Sequence, residues 1–412
     1  MNPDDMDPIL SLDGLEDTFF RHMQRSREIM TAAARKTGIV LDRRYADHCP
    51  DPGHPECPER MDVLSNMIQE PGMGEHFRVI TPRKAVKEEL IAVHSRDYIQ
   101  CLEDTEGKAC TFLDADTRTS PFSHDTALLA AGGLCRAIDL VIAGDLDNAF
   151  ALVRPPGHHA ERSKAMGFCL YNNVAIGVRH AQNHHGLERI LVLDWDLHHG
   201  NGTQHCFEDD PSVVYFSIHQ ASSFPGSGKR REIGKGAGRG MTVNIPLLPG
   251  NGDKEYLALF EKILKPVAIE FQPELILVSA GFDIHIDDPL GRMRVTPRGF
   301  AAMTRSVLNT ADVVCGGRVL MTLEGGYDLK GLQDSVRAVL RELAGLQTTN
   351  IEDIMAGADL EKLRVLLWQI SRVHGRHWKR LAQSLAAETN HAPSIAARLK
   401  EAAARIGAYL KS

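Results

Sequence analysis

The chain has 412 residues, 43% of them apolar and 25% charged, with a formal net charge of −7. That length buries one large core or two modest ones, and these fractions exclude a disordered chain. A net negative body argues against nucleic-acid binding through a basic surface and is compatible with basic substrates.

The N-terminus, Met1-Asn-Pro-Asp-Asp-Met-Asp7, is acidic where a signal peptide needs positive residues, and no apolar run follows it. No stretch is long and apolar enough to span a bilayer. The eight cysteines include no C-x-x-C pair. They read as free thiols, and the protein as cytoplasmic with no nucleic-acid or membrane partner.

In chain order, Leu12, Leu15, Phe19 and Met23 come first, at helical spacing within residues 1–36. Two readings of this stripe are a helix packed on its own domain, which we favour, and a contact in a homo-oligomer. Short apolar runs then alternate with helical patterns. Ala149-Phe-Ala-Leu-Val153 leads into Arg-Pro-Pro-Gly-His158-His159, and Ile190-Leu-Val-Leu193 into Asp194-Trp-Asp196-Leu-His198-His199. Val213-Val-Tyr-Phe-Ser-Ile-His219 leads into a loop, Leu275-Ile-Leu-Val-Ser-Ala280 into Gly-Phe-Asp283, and Arg318-Val-Leu-Met-Thr-Leu323 into Glu-Gly-Gly-Tyr327. Helices are predicted over residues 124–143, 172–184, 255–270 and 296–313, the last with Thr296 as N-cap and Pro297 at its first position. Strands alternating with helices predict a parallel sheet covered on both faces. From Ile351 the pattern is helical, with Leu360, Leu363, Leu367 and Ile370 on one face, and the chain ends in an Ala-rich tail. The expected organisation is a helical extension over 1–36, a catalytic domain over 37–381 and a helical tail over 382–412.

The ends of the apolar runs carry the chemistry. Charged and imidazole groups at the end of a buried strand are costly unless paired or taken by a metal. Asp196 and His198, two apart in extended backbone, point to the same side. With Asp283 they form a set of two carboxylates and one imidazole that leaves room on zinc for water or substrate. Lacking thiolate, the set suits Fe(II) as well. The adjacent His158 and His159 suggest acid–base work, with Asp194 and Asn201 as their orienters. Tyr327 is placed to donate to a developing oxyanion. His199 is expected to be structural.

Five ordered motifs resemble those of the zinc-dependent histone deacetylase family: Arg154-Pro-Pro-Gly-His-His-Ala160, Gly167-Phe-Cys-Leu-Tyr-Asn-Asn173, Asp194-Trp-Asp-Leu-His-His-Gly-Asn-Gly-Thr203, Ser279-Ala-Gly-Phe-Asp283 and Glu324-Gly-Gly-Tyr327. Asn201 and Asp288-Pro-Leu-Gly291 resemble the class II branch and its bacterial relatives, and His54-Pro-Glu-Cys-Pro-Glu-Arg60 resembles the family's N-terminal rim loop. The likeness runs from about Gly38 to Trp378. It implies the arginase/deacetylase α/β fold with an eight-stranded parallel sheet, and hydrolysis of an N-acyl amide on an acylated lysine of a protein or peptide. By the same resemblance, one zinc ion per chain is held by Asp196, His198 and Asp283. His159 serves as base and then acid, His158 as its electrostatic partner, and Asp194 and Asn201 hold the two rings. A neutral Asn201 implies a less basic His159 than a carboxylate there would give. Members with histidine at the position of Tyr327 deacetylate poorly, so tyrosine implies competence. Phe168 and Phe224 would wall a narrow tunnel, with Gly167, Leu290 and Asp116 also against substrate. A potassium ion would lie on Asp194, Asp196, His198 and Ser217.

Three alternatives compete. Arginase-type ureohydrolases share the fold but use two manganese ions and more bridging carboxylates. Acetylpolyamine amidohydrolases, acting on a small acetylated amine, are the stronger rival; the polyamine-selective eukaryotic relative carries glutamate where this chain has Leu290, so leucine favours acyl-lysine. A catalytically silent acyl-lysine binding module is the third, disfavoured by the intact set of ligands, histidines and tyrosine. The Gly-rich stretch 224–240 lacks a phosphate-loop pattern, and its Lys229-Arg230-Arg231 reads as a solvated rim that biases the entrance toward acidic peptides.

Overall fold

The apolar runs fold as strands because each is short, rich in Val, Ile and Leu, and bounded by turn residues. The computed structural model describes residues 34–49, 51, 53–357, 360–386, 400, 403 and 404. The predicted helical extension with Leu12, Leu15, Phe19 and Met23, and most of the Ala-rich tail, lie outside these residues. In chain order the strands are β1 Thr37–Val40, β2 Phe77–Ile80, β3 Thr111–Phe112, β4 Arg118–Thr119 and β5 Asn148–Ala151. They continue as β6 Ile190–Asp194, β7 Val213–Gln220, β8 Thr242–Leu247, β9 Leu275–Ala280 and β10 Val319–Leu323. Eight of them make one parallel sheet in the order β2-β1-β5-β10-β9-β6-β7-β8, and β3 and β4 pair separately as a short antiparallel hairpin.

Strands β5 to β10 of the main sheet are buried throughout, which requires cover on both faces. Ser123–Ile142 packs against Asn173–His185, and Pro297–Val314 against Leu329–Leu343. Their starts follow the sequence signals: Thr296 accepts from Gly299 N, and Asn172 from Ala175 N. The predicted helix over 255–270 is continuous from Asp253 to Phe271, but it contains a π turn at Phe260–Leu264 just before Pro266. Proline has no N–H to offer the carbonyl four residues back. That carbonyl, Lys262 O, instead accepts from Ser384 Oγ at 3.0 Å. Ser384 ends the short helix Lys379–Ser384 and Leu385 is fully buried, so the packed body continues past residue 381. Among the described residues no helix is long and apolar enough to cross a membrane.

Candidate active site

Five neighbouring strands, β5, β10, β9, β6 and β7, deliver the candidate ligands, the paired histidines, Tyr327 and Phe224 from their carboxyl ends, whereas Asp116 lies in the β3–β4 turn. β5 runs toward His158 and His159, β10 toward Tyr327, β9 toward Asp283, β6 toward Asp196 and His198, and β7 toward Phe224. Ligands of open parallel sheets bind at this end. Glu324 knits the segments together. Its Oε2 accepts from the N–H groups of Gly157 and His158 at 2.6 and 3.1 Å, and its Oε1 from Ser279 Oγ at 2.9 Å.

Asp196, His198 and Asp283 converge on one point. His198 Nδ1 stands 3.2 Å from Asp196 Oδ1 and 3.2 Å from Asp283 Oδ2. Three atoms bound tetrahedrally to an ion at about 2.0–2.1 Å would be about 3.3 Å apart. Asp283 Oδ1 accepts from Leu197 N at 2.9 Å, whereas its Oδ2 is buried and accepts no hydrogen bond. Burial, with the charge of Asp196, lifts the Asp283 carboxyl to about 7. Burial opposes charge on His198, but the adjacent carboxylates of Asp196 and Asp283 outweigh it and raise the imidazole to about 10. A divalent cation would replace that proton, occupy the orphaned oxygen and neutralise the two carboxylates. A Cβ on Gly281 would strike the Asp196 carboxylate, and one on Gly325 the Asp283 carboxylate, so glycine at both positions keeps the two acids close.

Three other His, Cys and carboxylate groups cluster among the described residues. In one, Asp139 Oδ1 lies 2.7 and 2.8 Å from Nε2 of His180 and His185, while Arg83 pairs with Glu89 on the far side of His180. Those are hydrogen-bond lengths, too short for neighbouring ligands of one ion. The network ties Ser123–Ile142 to Asn173–His185.

His158 Nδ1 is 3.0 Å from Asp194 Oδ2, which also accepts from Tyr215 OH at 3.0 Å. His159 Nδ1 is 2.7 Å from Asn201 Oδ1, and the two imidazole rings are 4.0 Å apart. Asn201 Nδ2 donates to Glu161 Oε1 at 2.6 Å, and that oxygen also lies 2.8 Å from His205 Nδ1. A carboxylate accepts only, so the Asn201 amide must turn its NH2 to Glu161 and its oxygen to His159. His159 therefore carries its proton on Nδ1 and presents the Nε2 lone pair. Burial first, then the charges of His158 and His198, hold His159 well below the usual histidine range. For His158, burial is outweighed by the charges of Asp196 and Asp194, which hold it well above that range. The two shifts run in opposite directions, favouring the neutral form of His159 and the charged form of His158.

Tyr327 N donates to Asp288 Oδ2 at 2.7 Å. Burial and the charge of Asp283 push the phenol well above its ordinary range, so it is a donor at neutral pH. Arg60 donates to Gly326 O and Glu324 O at 2.8 and 2.6 Å, and its guanidinium lies 5.2 Å from the centre of the Tyr327 ring. Glu56 in turn pairs with Arg60 at 2.9 Å and with Arg154, all three fully buried. Replacing Glu56 with alanine leaves two buried guanidiniums without their carboxylate. We expect a loss of about 3–5 kcal/mol of stability, read as a lowered urea midpoint. An unchanged midpoint would remove this anchor from the account.

Two aromatic walls flank the centre. Phe224 meets His159 edge-on at 5.0 Å and His198 at 6.1 Å; Phe168 meets Tyr327 at 6.0 Å and His54 at 4.6 Å. Gly167 and Phe168 both have positive φ, 55° and 67°, and a Cβ on Gly167 would strike the His159 ring. Leu290 and Phe224 are among the few exposed large apolar side chains, and both line one cavity at the entrance.

Not every predicted residue reaches this centre. Asp116 accepts from Thr117 Oγ1, which accepts from Phe168 N, so it touches the wall only through an intermediary. Ser217 stands beside Asp194 in the β6–β7 register, with its hydroxyl 2.9 Å from His219 Nδ1. His199 is held by Ser227 and Gln204, a structural role. Sequence reasoning gave no role to Glu56, Arg60, Glu161, Asp288 or Glu324. Each acts on a partner distant in sequence or through a neighbour's backbone, and the one local signal was that four of them lie inside the quoted motifs or rim loop.

The parallel sheet, with acids and imidazoles gathered at its carboxyl end, defines a hydrolytic α/β enzyme. Residues 54–343 match the family model described as the histone deacetylase domain. The chain is 40% identical to a probable deacetylase of Archaeoglobus fulgidus over 356 residues, 83% of this chain and 99% of that protein. It is 40% identical over 347 residues to the human polyamine deacetylase HDAC10, covering 80% of this chain and 51% of the relative, so it spans about half of that protein. Among solved structures, the HDA15 HD domain superposes with a TM-score of 0.80 at 34% identity, over 88% of this chain and all of that one. The chain belongs to the histone deacetylase family and is a hydrolytic deacetylase.

Proposed function

We propose that this chain hydrolyses N-acetyl-lysine amides in proteins or peptides, using one zinc ion on Asp196, His198 and Asp283. The observation that carries the reading is the orphaned Asp283 Oδ2, 3.2 Å from His198 Nδ1, in a centre flanked by Phe168 and Phe224. Bound there, zinc supplies polarisation of the amide carbonyl and a lowered pKa for the attacking water. His159 Nε2 removes a proton from that water and returns it to the departing nitrogen, since an amine anion is a very poor leaving group. The cationic His158 stabilises the charge that develops nearby, and the Tyr327 hydroxyl donates to the carbonyl oxygen. Asn201, fixed by Glu161, keeps His159 in the tautomer this requires. Phe168 and Phe224, with Gly167 between His159 and Phe224, accept the aliphatic stem. Asp116 supports Phe168 through Thr117, and Leu290 meets the substrate at the entrance.

A potassium ion on Asp194, Asp196, His198 and Ser217 is a further part of the reading, supported by the register that sets Ser217 opposite Asp194. The catalytic body is taken as residues 37 to about 385, past the expected 381 because Leu385 is fully buried, and the setting as cytoplasmic, in keeping with eight free thiols.

Acetylpolyamine hydrolysis is the second reading, favoured by the likeness to HDAC10. Against it stand the apolar Leu290 at the entrance and the three basic residues 229–231 on the neighbouring loop, which repel a polycation. The deciding experiment is a turnover panel of acetyl-lysine peptides, longer acyl-lysine peptides and N-acetylpolyamines on wild type. We expect kcat/KM to be highest for a peptide. Acetylpolyamine turnover above that of every peptide would reverse the preference.

A further inference from the structure

Beside the entrance lies a second, basic depression with no role in the steps above. One cavity of about 460 Å3 is bordered by Phe224, Leu290 and Arg292, and a second of about 490 Å3 by Lys229, Arg230 and Arg231. They share Ser222, Ser223 and Gly226, so they form a continuous path along the loop after β7. A peptide with its lysine stem between Phe168 and Phe224 and its backbone at Leu290 has this path open on one side.

Two of the basic side chains on that path are left unpaired among the described residues. Lys229 and Arg231 are exposed, and neither side chain has an ion-pair partner among the described residues. The one carboxylate of the loop's basic turn, Glu232, is committed to Gly228 N and Gln204 Nε2 at 2.9 and 3.0 Å. Glu208 pairs with Lys235. The body as a whole is net negative, so a local excess of positive charge at the mouth of a site stands out against its surroundings.

We propose that this depression is an anion-accepting subsite for a carboxylate or phosphate on a residue flanking the acyl-lysine, with Lys229 and Arg231 as its specificity-determining residues. The inference rests on the acyl-lysine reading and sharpens it: the preferred substrate is an acidic or phosphorylated segment. Lysine is a compact point charge and arginine a planar donor fork, so the pair accommodates either a tetrahedral or a planar anion. The Ser222 and Ser223 hydroxyls beside them add hydrogen-bond capacity. The contacts are solvent-exposed, so the effect per pair is modest and falls with salt.

The test uses acetyl-lysine peptides carrying glutamate, phosphoserine, alanine or lysine at each flanking position. The glutamate and phosphoserine arms separate the two sources of anion. At low ionic strength we expect kcat/KM for the best acidic peptide to exceed that of its lysine counterpart by roughly five- to twentyfold, as two exposed pairs of up to about fivefold each allow. The preference should shrink severalfold at about 0.5 M salt. It should vanish in Lys229→Ala/Arg231→Ala and turn toward lysine-flanked peptides in Lys229→Glu/Arg231→Glu, with melting temperatures checking that both variants fold. Equal turnover of all peptides, or an acidic preference that survives the double alanine variant, overturns the subsite alone. Turnover of acetylpolyamines with none of any peptide overturns both the subsite and the acyl-lysine reading.

Discussion

Asp283→Ala is expected to lose bound metal and turnover together while the fold survives. The Asp283 carboxylate is buried against Asp196, and its Oδ2 has no hydrogen-bond donor among the described residues. Loss of an outer hydrogen-bond partner of a ligand costs about 10–100-fold in metal affinity, and loss of the ligand itself should cost more. We therefore expect metal content after dialysis to fall from one equivalent to near zero, with turnover falling in proportion. Stability should move the other way once metal is stripped. Two carboxylates held together in the dry interior repel, so the metal-free variant should melt at or above the metal-free parent. Functional centres hold such arrangements at a cost in stability. Retention of a full equivalent of metal by Asp283→Ala, or of catalysis after exhaustive chelation, would remove Asp283 from the metal centre.

The second large effect separates acid–base work from metal binding. His159→Ala should lower kcat by about 10²–10⁴ at normal metal content, the usual contribution of a positioned general base and acid. Tyr327→Phe should lower it by about 10²–10³, as expected when one oxyanion donor is removed. KM should change little in either, because both groups act on charge that develops after binding. Since the two act on one transition state, the double variant should lose less than the product of the single losses. Tyr327→Phe at wild-type kcat would sink the donor role, and a metal content halved by His159→Ala would show that the ring serves the metal rather than the water. Glu161→Gln offers a milder contrast: it keeps an acceptor for Asn201 and so should preserve the His159 tautomer, whereas Glu161→Ala should not.

The strands and the chemistry at their ends were legible because both are local. Ile190-Leu-Val-Leu193 reads as a buried strand with Asp196 and His198 just past its end. β6 stops at Asp194 and both residues lie in bends, so the loop rather than the two-residue strand period brings them together. The helix starts at Asn172 and Thr296 were equally readable, since a cap is a short-range bond. The π turn before Pro266 was not. Its cause is in the sequence, but its compensation is a serine more than a hundred residues away.

The same division holds in the centre. By itself the sequence pointed to the residues proposed for acid, base, donor and ligand chemistry, because residue type and strand-end position suffice for that. Tertiary structure decided that Asp196, His198 and Asp283 have ligand spacing whereas Asp139, His180 and His185 have hydrogen-bond spacing, and how each ring is poised. The sequence reading took neutral Asn201 as the end of the chain behind His159; the fold places the carboxylate of Glu161 behind it, 2.6 Å from the amide. It also set the buried Glu56–Arg60–Arg154 anchor under Tyr327 and the basic path beside Phe224. Electrostatics depends on distance in space and on burial, and neither is a property of a motif.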